Sequence, residues 1–123
     1  MQTNPERDKV AKIGVNNNLV ELKAKTIRID LKDYSTNGGS LSTGFGGQYI
    51  SYPLSGLKTA GFLTDFTNLL TADIYWYSSS WRSRYPDGRI ILDGDGSTIC
   101  VLLGTNYVND GASIQIDLMC LGY

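Results

Sequence analysis

Three groups of residues in this 123-residue chain have types and spacings that chemistry can use. They are the acidic pair of Asp93-Gly94-Asp95-Gly96, the thiols Cys100 and Cys120, and the run Asp73 to Arg89, which joins aromatic rings to Arg82, Arg84 and Arg89. The chain has no histidine, which removes the commonest general base, the Ser–His and Cys–His nucleophile pairs and the usual zinc ligand set. Asp93 and Asp95 each precede a glycine, a pattern that reads as a tight turn rather than as a catalytic carboxylate dyad. As calcium ligands they supply two carboxylates, too few for a loop that needs a series of acidic positions and a terminal Glu. The glycines Gly38-Gly39 and Gly44 to Gly47 are followed by neither Lys-Ser/Thr nor a helix, so they do not form a phosphate cradle. No catalytic residue, metal or cofactor is expected. An enzyme here would have to gather Asp side chains from distant strands.

The aromatic run holds five of the chain's thirteen aromatic residues: Tyr75, Trp76, Tyr77, Trp81 and Tyr85. With the period of two of a strand, Tyr75, Tyr77, Trp81 and Tyr85 share one face, while Ile74, Trp76, Ser78, Ser80 and Arg82 share the other. The segment Ile74 to Tyr77 reads chiefly as core. Trp81, Arg82, Arg84 and Tyr85 read as the exposed end and are the candidate ligand-binding residues. Rings beside guanidinium groups can stack on sugars, or can anchor a protein interface, where Tyr, Trp and Arg are enriched.

Net charge is −1 with eleven Lys and Arg, without the basic excess that a nucleic-acid surface requires. No apolar run approaches the ~20 residues of a membrane span, and the start MQTNPERDKV lacks the apolar core of a secretory signal. Nucleic acid and membrane insertion are therefore not expected, and synthesis is expected in a reducing cytoplasm. Cys100 and Cys120 sit in apolar strand-like segments, where they either pair across neighbouring strands or remain buried free thiols.

The elements that must position these groups are mostly strands. Residues 1–8 read as a flexible N-terminal arm and 9–123 as a single domain. Val10 to Leu22 reads as a short hairpin about Asn16-Asn17-Asn18, because Asn tolerates left-handed turn conformations. Thr26 to Leu31 alternates, with Ile27, Ile29 and Leu31 on one face. Asp33 to Gly47 reads as a long irregular loop, Gln48 to Tyr52 as a strand ending at Pro53, and Thr64 to Leu70 as a short helix with Phe62, Phe66, Leu69 and Leu70 on one side. Antiparallel strands follow over Arg89 to Leu92, Thr98 to Leu103 and Ser113 to Leu121, with turns at Pro86-Asp87-Gly88 and at Asp93 to Gly96. In the last strand Ile114, Ile116, Leu118 and Cys120 face one way and Gln115 and Asp117 the other. Met119 and Leu121 make its end apolar on both faces, so they are the candidate interface residues. The whole reads as an all-β antiparallel sandwich, jelly-roll or TNF-like, with one short helix.

The polar entry arm, the Gly/Ser/Thr/Asn-rich β body, the aromatic strand, the lack of His and the final strand SIQIDLMCLGY together resemble bacteriophage virion modules: tail-fibre or tail-needle knobs and capsid decoration domains. The resemblance implies a non-enzymatic, homotrimeric β-sandwich located in the virion, made in the host cytoplasm, and binding a host-surface glycan or other virion proteins. It transfers no residue role. A reading from another class is a lectin-like carbohydrate-binding module that uses Trp81 and Tyr85.

Overall fold

The structure, a computed structural model, describes residues 10–79, 89–92, 97–103 and 113–123. It is all-β and antiparallel. Strands β1 (Lys12–Val15) and β2 (Asn18–Glu21) form a hairpin, followed by β3 (Lys23–Asp30), β4 (Ser40–Gly44), β5 (Gly47–Pro53), a helix α1 (Leu54–Thr59), β6 (Leu69–Ser79), β7 (Arg89–Leu92), β8 (Thr98–Leu102) and β9 (Ile114–Gly122). A three-stranded sheet has the order β3-β9-β6 and a four-stranded sheet the order β4-β5-β8-β7.

The pairing is nested: the first strand of the sandwich, β3, pairs with the last, β9, and inside that β5 pairs with β8. β9 also pairs with β6, and β8 with β7. Among the described residues this nested antiparallel pairing is that of a β-sandwich. Alternation explains which side of each strand is buried. In β9 the residues Ile114, Ile116, Leu118 and Cys120 are buried, as are Ile27 and Ile29 of β3, and they meet Ile50, Tyr52, Ile99 and Val101 from the opposite sheet in one core.

Local chemistry accounts for the first hairpin. Asn16 and Asn17 have φ of 50° and 67°, the pair of left-handed residues a type I′ turn requires, and Asn is among the few residues that adopt them cheaply. The ladder runs from Val15↔Asn18 to Lys12↔Glu21.

Two expectations are corrected. The segment 33–47 is not an irregular loop: after a 3-10 turn at Leu31–Asp33, β4 and β5 form a hairpin closed by Phe45 (φ 54°) and Gly46 (φ 84°). Its glycines serve the turn and close packing, and one of them, Gly38, lies so near Gly56 of α1 that a Cβ on either would overlap the other's backbone. The helix also lies earlier than expected, at Leu54–Thr59, because Pro53 presets an extended entry (φ −61°) and Leu54 and Leu57 fall on one buried side. Past it the chain cannot stay helical. Gly61 (φ 96°) and Leu63 (φ 54°) turn it left-handed, and Asn68 pairs both its backbone groups with Tyr123, which starts β6 where the helix was expected to end. Leu63, Phe66 and Leu69 are still buried, the first two on an irregular turn and Leu69 at the start of β6 instead of on a helix face.

Candidate functional site

The outer face of the β3-β9-β6 sheet carries the residues singled out at the end of β9. Because β9 buries its even-numbered residues, Gln115, Asp117, Met119 and Leu121 point away from the core. Register then fixes their neighbours: Leu121 lies opposite Ala24 and Thr71, and Met119 lies opposite Thr26 and Asp73. The small side chains of Ala24, Thr26 and Thr71 leave the larger Met119 and Leu121 standing in an open depression of about 450 Å³, whose lining also includes Lys25 and Asp73.

Met119 is 52% exposed and Leu121 half-buried. Beside them along β6, Leu70 is exposed and Tyr75 is 71% exposed. Thr71 and Asp73 stand on β6 between these two residues and lie opposite Leu121 and Met119. Further along the face stands an ion pair, Arg28 Nε donating to Asp117 Oδ1 at 2.7 Å and Nη2 to Oδ2 at 3.1 Å. That hydrogen-bonded pairing holds the Asp117 carboxyl below the usual carboxylate range and raises the Arg28 guanidinium.

Tyr75 corrects a further expectation. Ile74 packs against the core as expected, but a bulge separates Ile74, which pairs with Leu118, from Trp76, which pairs with Asp117. The extra residue breaks the period of two, so Ile74 and Trp76 take register positions of opposite parity and Tyr75 is delivered to solvent. Of the four candidate ligand-binding residues, Trp81, Arg82, Arg84 and Tyr85 all lie outside the described residues, as do Asp93 and Asp95.

Other features have plainer accounts. Cys100 and Cys120 are both buried free thiols on strands of different sheets, and burial pushes Cys120 up to about 11. The Tyr52 hydroxyl is fully buried without a hydrogen-bond partner among the described residues, and its ionisation is pushed up by desolvation and then by Asp30. A more polar depression of about 340 Å³ lies beside α1, between Leu54 and Thr98, but the Lys58 amine on it already donates to the Phe66 carbonyl. Among the described residues no group of three or more Cys, Asp or Glu is placed to hold a metal ion, and no helix is long and apolar enough to cross a membrane.

The signal for the sheet-face site was present in the sequence for β9 and missed for β3 and β6. Ala24 and Thr26 share the parity of Arg28 on the wet side of β3 and lie opposite Leu121 and Met119, a pairing that only the register reveals. The bulge at Ile74 to Trp76 has no comparable signal.

Comparison with known proteins finds no matching family model, no matching curated protein and no matching solved structure.

Proposed function

We propose that the chain is a non-enzymatic structural or host-attachment module of a bacteriophage virion, of the tail-fibre-knob or head-decoration kind, working as a homotrimer. The observation that supports this reading best is the outward-facing apolar strip of Met119 and Leu121, which lines an open depression on the outer face of the β3-β9-β6 sheet. A chain that leaves such a strip uncovered gains by burying it against another surface, at about 25 cal/mol per Å² of apolar area. Soluble homo-oligomers close by point-group symmetry, most often as two-fold dimers, so the three-fold number, like the virion setting, rests on the resemblance of the sequence.

Met119 provides the direct test, since thioether oxidation follows exposure. In the assembled protein, Met119 is expected to resist hydrogen peroxide, read by peptide mass spectrometry, and to become reactive on dilution. Oxidation at the rate of free methionine at every protein concentration would count against the reading.

A further inference from the structure

The depression beside α1, about 340 Å³ in volume, opens where the end of β5, the start of α1, the turn before β6 and the start of β8 meet. Backbone hydrogen bonds fix these stretches against the rest of the fold. Pro53 stands opposite Thr98, the Leu54 amide donates to the Ser97 carbonyl at 2.7 Å, and Asn68 exchanges both its backbone hydrogen bonds with Tyr123. The walls are therefore in place before any ligand arrives.

The lining is polar and carries a single charge. Ser55, Thr67 and Thr98 bring hydroxyls, and no Asp or Glu lines the depression. The Asn68 Nδ2 donates to the Tyr123 hydroxyl at 3.4 Å, which leaves the Asn68 Oδ1 to accept. The charge is the Lys58 ammonium. It is anchored by its hydrogen bond to the Phe66 carbonyl, and among the described residues it forms no ion pair. An ammonium has three N–H groups, so two remain after that bond. An anion placed on them would gain charge-assisted hydrogen bonds, about twice as strong as neutral ones.

Size and lining decide what carries the anion. The volume is roughly ten times the ~30 Å³ share of one water, and it lies near the ~300 Å³ lower end of small-molecule sites. A bare ion would leave most of it unfilled. No aromatic ring lines it, so a flat heteroaromatic ligand finds nothing to stack on, whereas Pro53 and Leu54 offer apolar atoms to the C–H face of a sugar ring. We propose that this depression binds an acidic sugar, with its carboxylate on Lys58 and its hydroxyls on Thr67, Asn68 and Thr98. The depression shares no residue with the one around Met119 and Leu121, so this site goes beyond the homotrimeric reading and stands or falls apart from it.

The test is titration of the isotope-labelled full chain with glucuronate, glucose and acetate, read from amide NMR shifts. Glucuronate is expected to move the Thr67, Asn68 and Thr98 amides at millimolar concentration, and glucose and acetate to move them far less at the same concentration. K58M is expected to weaken glucuronate binding about tenfold, as the loss of a hydrogen bond from a charged group does. The isosteric T98V, which removes one neutral hydroxyl, is expected to weaken it about threefold. Wild-type shifts for the β3 and β9 amides report that each variant is folded. Glucuronate that moves none of the three amides, or glucose or acetate that moves them as far, overturns the site. A folded K58M that binds as tightly as wild type also overturns it, and should K58M fail to fold, a T98V of wild-type affinity does so. The molar mass of the same sample reports separately on the homotrimer.

Discussion

Arg28 on β3 and Asp117 on β9 stand directly opposite one another and join through two parallel hydrogen bonds, Nε to Oδ1 and Nη2 to Oδ2. This fork-to-fork geometry locks the register of β3 against β9, the strand that carries Met119 and Leu121, because a slip of one residue would turn those two toward the core and break the pair.

The pair gives stability a pH dependence of known sign. Asp117 titrates below its ordinary value in the folded chain, so its contribution is fully present above the ordinary carboxylate range and is lost as pH falls through the lowered folded value. Urea unfolding at a series of pH values is expected to show wild type above D117N near neutrality, with the gap closing on acidification and shrinking with added salt. A gap that widens as pH falls would contradict the assignment.

Gly56 tests the approach of α1 to the loop before β4. A Cβ there would overlap the Gly38 carbonyl oxygen, and both partners are backbone, so neither can swing aside. G56A is expected to destabilise the fold by about 2 kcal/mol in denaturant titration, in the range of overpacking. G14A, where a Cβ meets nothing within 4 Å, is expected to change stability by less than about 0.5 kcal/mol, as a surface substitution does.

The Tyr52 ring belongs to the core, but its hydroxyl is buried with no partner among the described residues. Removing an unsatisfied buried hydroxyl removes a desolvation cost, so Y52F is expected to be neutral or more stable by about 1 kcal/mol. A loss of stability of that size would show that the hydroxyl is bonded.

Both thiols are expected to be silent in the native protein. With Cys120 pushed up to about 11 and both side chains buried, a disulfide-exchange reagent at pH 8 should titrate almost none of the thiol in buffer and both thiols in denaturant. Rapid native labelling of either would contradict their placement.

What could be read from the sequence followed from strict patterns. The final strand was legible because Ile114, Ile116, Leu118 and Cys120 alternate with Gln115 and Asp117, and a one-sided burial enforces that period. The first hairpin was legible from Asn16-Asn17. The helix was misplaced because Phe62, Phe66 and Leu69 have a spacing that either a helix or an irregular turn can bury; pairing of Asn68 with Tyr123, far away in sequence, decides for the turn. The β4–β5 hairpin was hidden because Phe45 occupies a left-handed turn position where Asn or Gly is the usual signal. Half of the candidate site was therefore visible, Met119 and Leu121, while its neighbours on β3 and β6 come from register and a bulge that only the folded sheet defines.

The central claim is that the chain assembles through the outer face of the β3-β9-β6 sheet, and the molar mass of the full chain at micromolar concentration tests it most directly. Light scattering is expected to give three times the 13.5 kDa chain mass for wild type, and a single chain for M119D with the same fold by circular dichroism. A wild-type protein that stays at 13.5 kDa across that range, or an M119D variant that remains trimeric, would contradict it.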